Sequence, residues 1–420
     1  MKQKTITLQH QVPKAKEGKY YSIPFEVPEG VESMRIRYTY PKDQKAIVDL
    51  GLMDNQGRFI GWSGSARNEI TVGPYDATPG YWMTKAEKGS WQILVGAYHI
   101  PADPLPVTYE ITYLMPDARW LAGDLHVHST ASDGKLSPYE LGMLARKRGL
   151  DFLAIADHNN FCENFALPKI PGLTLIPAVE WTHYKGHMNF FGIKAPFDQS
   201  FVANDIDEMR TLIRQAKNKG ALISVNHPKC PRCPYLWEDD TIFDLVEIWN
   251  GPMRKANTDA ILWWHQMLLS GRKMPIVGGS DFHRTLSPVR LSNPTTFVYA
   301  KSAGTEDILS AILSGRSYVS FSPHGPRLSI EKVDCLFGHT IQAENGRKWI
   351  FTAKNMQPGM ELQLITDQGV KSSCKAKLSE KTIHLSVQEN NWTFAYLKVI
   401  LPVGKYPLVL AISNPVYLNK

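Results

Sequence analysis

Residues 123–128 read Gly123-Asp124-Leu125-His126-Val127-His128, and together with the apolar runs downstream they decide the fold. Seven short apolar runs lie between about residue 119 and residue 285. Five end in His, Asp or Glu: His126 and His128 after LAGDL, Asp157-His158 after DFLAIA, Glu180 after LTLIPAV, His227 after ALISVN, and Asp281 and His283 after MPIVGGS. His187 opens a further run, HMNFFGI. A lone His at a strand end ordinarily caps or hydrogen-bonds. Five such ends in series predict a barrel whose strand ends converge on a cluster of metal ions. Strand residues alternate faces, so His126 and His128 point to one side, and Asp281 and His283 repeat that spacing.

The remaining composition sets the frame. At 420 residues the chain exceeds one core, and two or three domains are expected. Hydrophobic content of 43% and charged content of 21% are ordinary for a globular protein. The net charge of +7 is mild and spread along the chain, so nucleic acid is not an expected partner. It would still welcome an acidic substrate. The polar start MKQKTITLQHQVPKAKEGK carries no secretory signal, and no apolar run is long enough to span a bilayer. Five scattered cysteines fit a reducing compartment, and a cytoplasmic location is expected. Cys230-Pro-Arg-Cys233 has no second CxxC to complete a thiolate site. It lies in a Pro-rich loop just past His227, not at a helix start. That favours a structural loop over an accessory metal or redox role.

The patterning divides the chain into three regions. Residues 1–118 hold short alternating runs such as MRIRYTYP, GSWQILVGAYHI and PVTYEITYLM, and predict an N-terminal β-sandwich. The aromatics Tyr75, Tyr81 and Trp82 there are read as packing residues rather than a sugar or partner site. Residues 119–325 alternate strand and helix. Ser137 is a predicted N-cap with Pro138 at the first helical position and Gly149 as a stop. NDIDEMRTLIRQAKNKG repeats the helical grammar, acid early and base late. The strands between are continuous apolar runs, as parallel buried strands require. Residues 326–420 return to strand-like runs, predicting a C-terminal β domain.

Barrel enzymes build their sites at the carboxyl ends of the strands. Nine candidate ligands fall in this segment: His126, His128, Asp133, His158, Glu180, His187, His227, Asp281 and His283. Imidazole and carboxylate suit zinc, manganese or iron. Nine are too many for one ion, and they suffice for two or three if a carboxylate bridges. Paired ions activate a shared water and stabilise both oxygens of a displacement, so hydrolysis is predicted.

GDLHVHSTASDGKLSP, IADHN, AVEW with GHMNFFG, SVNHP and GGSDFH, in this order, resemble the polymerase-and-histidinol-phosphatase (PHP) superfamily. EIWN, LWWHQMLLSGRKMPIVGGSDFH and SGRSYVS look more narrowly like its CehA/McbA branch of metallohydrolases. The resemblance covers roughly residues 119–325. It implies an α/β fold, a distorted (β/α)7 TIM-like barrel, with a trinuclear metal site. His126, His128, Glu180 and Asp281 would hold the first ion. Glu180 would bridge to a second, held by His187 and His227, with His187 preferred to the nearby His183. Asp133, His158 and His283 would hold a third. Asp124 and Asp157 would orient ligand histidines from behind.

The implied activity is a phosphoesterase in which a metal-bridging hydroxide attacks phosphorus of a small mono- or diester in line. Arg284, then Arg254 and Lys255, then Lys185 and His324, are candidates to bind the non-bridging oxygens. His183 or a metal-held water would protonate the leaving group. The alternative is a carboxylic-ester, carbamate or amide hydrolase, because the branch includes a carbamate-ester hydrolase. An aromatic pocket from Trp249, Trp237, Phe282 and Tyr184 would favour it. The residues leave the substrate, the metal and the oligomeric state open.

Overall fold

The computed structural model describes residues 3–41, 45–101, 103–238, 242–331, 335–403 and 407–419. The chain divides into two compact units, residues 1–118 with 169–172, and residues 119–168 with 173–420.

The first unit contains strands β1 (Gln3–Val12), β2 (Lys19–Val27), β3 (Ser33–Thr39), β4 (Ile47–Met53), β5 (Phe59–Gly64), β6 (Glu69–Val72), β7 (Gly89–His99) and β8 (Leu105–Leu114). They pair as two four-stranded antiparallel sheets, β1-β8-β3-β6 and β2-β7-β4-β5. Burial alternates along β3 and β8, so Met34, Ile36, Val107, Tyr109 and Ile111 turn inward with Val48, Leu50, Trp91 and Ile93 from the other sheet. Inward apolar and outward polar residues on both sheets give a single shared core. Tyr81 is buried in that core, whereas Trp82 is exposed.

The second unit is mixed α/β, rich in sheet and poor in helix. Its first strands are β9 (Arg119–Val127), β10 (Phe152–Ile155), β11 (Thr174–His183), β12 (Gly186–Phe191), β13 (Leu222–Val225), β14 (Leu245–Asn250) and β15 (Ile276–Gly279). They neighbour one another in sequence order. Every position of β10, β13, β14 and β15 is buried, which explains their unbroken apolar runs. Six strands run parallel, and β12 is reversed, antiparallel to both β11 and β13. The two ends of the run meet. The Asp281 N–H donates to the His126 carbonyl at 2.8 Å, and the His128 N–H to Phe282 at 3.0 Å.

Helices follow only some strands: α1 (Pro138–Lys147) after β9, α2 (Ile206–Asn218) after β12, and α3 (Lys255–Leu269) after β14. A hairpin joins β11 to β12, and β10 reaches β11 through a 3₁₀ turn at Cys162–Phe165. A regular (β/α)7 alternation is therefore not shown among the described residues. The helices that do form obey their capping signals. The Ser137 hydroxyl accepts from the Glu140 N–H, and the Glu140 carboxylate from the Ser137 N–H, with Pro138 as the first residue. The Asp205 carboxylate accepts from the Asp207 and Glu208 N–H groups to cap α2.

Beyond β15 come β16 (Thr295–Ala300), α4 (Thr305–Leu313) and β17 (Ser317–Ser320), then β18 (Arg327–Glu331), β19 (Thr340–Gln342), β20 (Lys348–Lys354), β21 (Glu361–Thr366), β22 (Gly369–Lys375), β23 (Thr382–Gln388), β24 (Phe394–Leu401), β25 (Leu408–Ser413) and β26 (Val416–Asn419). β16 pairs antiparallel with β9, and β17 pairs with β25. The sheet thus continues from β9 through β16-β17-β25-β24-β21-β22. β18-β20-β23 form a separate three-stranded sheet. Among the described residues no helix is long and apolar enough to cross a membrane.

Candidate metal centre

The carboxyl ends of β9, β10, β11, β13 and β15 carry His126/His128, His158, Glu180, His227 and Asp281/His283. Parallel neighbours put those ends at one side of the sheet, and the reversed β12 delivers His187 from its start to the same place. Backbone strain collects there. Asn159, His227 and Asp281 have φ of 49°, 29° and 53°, a left-handed region that non-glycine residues rarely enter. Such strain costs on the order of 1–3 kcal/mol per residue and concentrates at functional sites.

Glu180 is the hub. Its side chain is 1% exposed, and five imidazoles approach it. Oε1 lies 3.4 Å from His126 Nε2, 3.1 Å from His187 Nδ1 and 3.2 Å from His227 Nε2. Oε2 lies 3.5 Å from His128 Nε2 and 2.8 Å from His158 Nδ1. Asp281 Oδ1 joins at 3.0 Å from His128 Nε2 and 3.7 Å from His126 Nε2. A third group sits outward, where Asp133 Oδ1 is 3.2 Å from His283 Nε2 and 3.7 Å from His158 Nε2.

Donor atoms bound at about 2.1 Å around one ion stand about 3.0–3.4 Å apart. The spacing of His126, His128, Glu180 and Asp281 is of that order. Four groups of potential ligands lie within binding distance of one another: His126-His128-Asp281, His158-Glu180-His187, His187-His227-Cys233 and His128-Asp133-His158-His283. The buried His126 Nε2 has no hydrogen-bond partner among the described residues. Its other nitrogen is taken, since Nδ1 is 2.9 Å from Glu247 Oε1. His283 is fixed likewise, with Nδ1 donating to the Asp281 carbonyl at 2.9 Å, which leaves Nε2 free toward Asp133. The residues present therefore fit divalent metal.

The electrostatics agree. Burial alone pushes the Glu180 carboxyl up, but His126, His158 and His187 hold it well below the usual carboxylate range. Burial lowers His126, yet Glu247, Glu180 and Asp281 outweigh it and raise the imidazole well above its ordinary value. Burial prevails at His128 and lowers it. The carboxylates thus demand positive charge in a place where water cannot screen them, which a divalent cation would meet as well as protons.

The sequence placed Asp124 and Asp157 behind the ligand imidazoles, and the structure gives them other work. Asp124, two residues deeper in β9, accepts from the backbone N–H groups of Ser280, Ser292 and His126 at 2.9, 2.7 and 3.2 Å. Full burial pushes its carboxyl up to about 6. Asp157 accepts from Ser129 and Ser132 in the loop after β9. The supporting carboxylate is instead Glu247 in β14, which sequence reasoning missed. It takes His126 Nδ1 on Oε1, and on Oε2 the His227 N–H at 3.0 Å and Asn250 Nδ2 at 3.2 Å. Its one signal was an acid inside the apolar run LVEIWN.

The candidate substrate-binding residues scatter. Arg284 lines a cavity of about 350 Å³ with Asp133, Lys135, Asp281, His283 and Ser287. Lys135 was not singled out from the sequence. Its N–H donates to the His283 carbonyl at 2.8 Å, which ties it to the mouth. Arg254 donates to Asn250 Oδ1 at 3.0 Å, and Asn250 in turn donates to Asp281 Oδ2 at 3.3 Å. Lys255 is not brought in, because its Nζ pairs with Asp259 at 2.6 Å along the surface of α3. His183 also stands apart from the cluster. Its ring packs on Trp237 with centroids 4.7 Å apart, and its Nδ1 accepts from the Lys185 N–H at 3.0 Å. Lys185 lies over the Trp237 ring, and His324 is exposed. The aromatic pocket does not form as expected. Trp249, Trp237 and Phe282 are buried in packed positions, and Tyr184 is 95% exposed.

No family model matches the chain. A 5'-3' exoribonuclease of Haemophilus influenzae is 47% identical over 60 residues, which is 14% of this chain. The chain spans about a fifth, 22%, of that curated relative. Among solved structures, a two-domain protein of Bacteroides vulgatus, predicted to contain a PHP-like metal-dependent phosphoesterase, aligns with TM-score 0.42 and 18% identity. It covers 70% of this chain and 95% of its own. A candidate metal-dependent phosphoesterase of Bifidobacterium adolescentis aligns with TM-score 0.30 and 16% identity over 46% of this chain and 95% of its own. An amidohydrolase of Chromobacterium violaceum gives 0.29 and 16% over 40% and 89%.

Proposed function

We propose that the chain is a metal-dependent phosphoesterase whose centre is built on residues 119–325, with β9–β15 read as a distorted barrel of the PHP kind. The observation that carries the reading is the convergence of five imidazoles on the buried Glu180 carboxylate. A buried carboxylate ringed by histidines, two of which are held through their other nitrogen by Glu247 and Cys233, is how a shared metal ligand is prepared. Held there, two or three divalent ions such as zinc, manganese or iron would supply Lewis acidity and a nucleophile at neutral pH.

The chain's own residues do the rest. His126, His128, Glu180 and Asp281 form the innermost ligand set. His187 and His227 extend it on one side, and Asp133, His158 and His283 on the other. Glu247 keeps the proton of His126 on Nδ1, so Nε2 stays available. Arg284 and Lys135, on the cavity beside Asp133 and His283, suit the non-bridging oxygens of a phosphate. Guanidinium binds such oxygens bidentately and ammonium as a point charge. That cationic lining supports a phosphate ester over a carboxylic ester or carbamate. The local similarity to an exoribonuclease supports the same bond class.

Parallel hydrolysis of p-nitrophenyl phosphate, bis-p-nitrophenyl phosphate and p-nitrophenyl acetate, with added metal or chelator, tests the reading. Metal-dependent release from a phosphate compound is expected. Release from the acetate alone would move the site to carboxylic-ester chemistry. No release from any of them by metal-loaded protein would count against hydrolysis of these classes.

A further inference from the structure

The loop after β13 reads His227-Pro-Lys-Cys230-Pro-Arg-Cys233-Pro, with a proline at 228, 231 and 234. Each proline fixes its own φ and restricts the residue before it, so the two cysteines are held in a narrow set of conformations. The turn is closed by the Cys230 N–H donating to the His227 carbonyl at 2.8 Å. Cys233 donates to the Cys230 sulfur across 3.2 Å. Both thiols are free and half-buried, and Pro231 and Arg232 between them are exposed.

The pair also touches the metal centre. His227 presents Nε2 to Glu180 at 3.2 Å and Nδ1 to the Cys233 sulfur at 3.6 Å. With Nε2 given to a metal ion, Nδ1 would keep the proton and donate it to Cys233. The sulfur is therefore the group that orients this imidazole, the part a carboxylate plays behind His126.

We propose that Cys230 and Cys233 are a reversible disulfide-forming pair that transmits oxidation to His227, and through it to the metal centre. The inference rests on the proposed metal centre. A low-molecular-weight disulfide is the oxidant. One thiolate attacks it, forms a mixed disulfide and expels one thiolate. The second cysteine attacks that mixed disulfide, closes the Cys230–Cys233 bond and expels the other. Two electrons pass from the pair to the reagent, and the two thiol protons leave to solvent or to the expelled thiolates. The Cys233 sulfur is then drawn toward Cys230 and away from His227 Nδ1. Loss of a partner behind a ligand histidine typically weakens metal binding about 10–100-fold.

The test uses the full chain loaded with manganese or zinc, treated with oxidised glutathione, desalted and compared with a reduced sample. Trypsin cuts after Lys229, Arg232 and Arg254, so a closed disulfide leaves Cys230–Arg232 linked to the peptide Cys233–Arg254. Linked peptides, loss of up to one metal equivalent per chain, and recovery of both on reduction and re-addition of metal are expected. Cys230→Ser, which keeps the backbone bond to His227 and leaves the Cys233 sulfur behind its ring, should keep its metal under the same oxidant. Unlinked peptides would overturn the proposal, and so would linked peptides with unchanged metal content, or equal metal loss in the Cys230→Ser protein. Reduced protein that holds no metal would sink the metal centre as well, so the two failures are told apart.

Discussion

Glu247 and His126, 121 positions apart, meet at 2.9 Å between Oε1 and Nδ1, on the side of the imidazole away from Glu180. The same carboxylate accepts from the His227 N–H and from Asn250, so one side chain sets two proposed ligands. Glu247→Gln keeps the shape and has only one carbonyl oxygen. Its NH2 must then face either the His126 donor or the His227 and Asn250 donors. A buried donor left unsatisfied costs about 1–3 kcal/mol. The expected result is a metal affinity about 10–100-fold weaker, with the fold retained. Metal titration beside circular dichroism checks it, and unchanged affinity would remove Glu247 from the supporting role.

Glu180→Gln should cost more, because it removes the negative charge that five imidazoles share. The metal content of the purified variant should fall by at least one ion per chain, and turnover should be lost. His126→Ala and Asp281→Ala should behave alike, since both belong to the innermost ligand set. Elemental analysis with full metal occupancy in Glu180→Gln would end its assignment as a shared ligand.

Much of this site was legible because chemistry and strand ends coincide in the sequence. An apolar run followed at once by His, Asp or Glu marks both the strand and the direction in which its ligand points. The helix after β9 was legible for a similar local reason, Ser137, Pro138 and Glu140 being a complete capping signal. The reversal of β12 was not, because HMNFFGI is apolar read either way and carries no arrow. Glu247 was hidden because it reaches His126 only after β14, β15 and β9 come together. Trp249 and Trp237 misled, because both pack into the hydrophobic core, and Phe282, between Asp281 and His283, is buried as well.

Chelation gives a stability test that needs no substrate. A metal that binds only the folded protein adds about 2.7 kcal/mol when its free concentration is 100 times its dissociation constant. Excess chelator should therefore lower the thermal midpoint of the transition that belongs to residues 119–420. Manganese or zinc added back should restore it. A midpoint indifferent to both would argue that the imidazole cluster stands without metal.

Arg284→Ala and Lys135→Ala separate substrate binding from metal binding. Both side chains line the cavity beside Asp133 and His283. A hydrogen bond to a charged group is worth about 1.5–3 kcal/mol, so each loss should lower kcat/KM for a phosphate substrate roughly 10- to 100-fold, mainly through KM. Metal content should not move. A variant with unaltered KM would take that residue out of the phosphate-binding role.

Gly279 tests how tightly the strand under the site is built. A Cβ placed there would stand 2.3 Å from the His126 Cβ, 2.8 Å from Glu247 Oε1 and 3.0 Å from the His126 nitrogen. The first and last of these belong to β9 at the point where it meets β15, so neither can step aside as the tip of a long chain would. Gly279→Ala must separate the two strands or tilt His126 away from Glu247. Overpacking of a close-packed interior costs about 1–3 kcal/mol. The lost Glu247 contact should add a fall in metal affinity of the same direction as in Glu247→Gln. A lower midpoint together with weaker metal binding is expected, whereas a midpoint lowered with metal binding intact would show that His126 is held by β9 alone. Because both substitutions act through one imidazole, the double variant should lose less affinity than the two single losses added together.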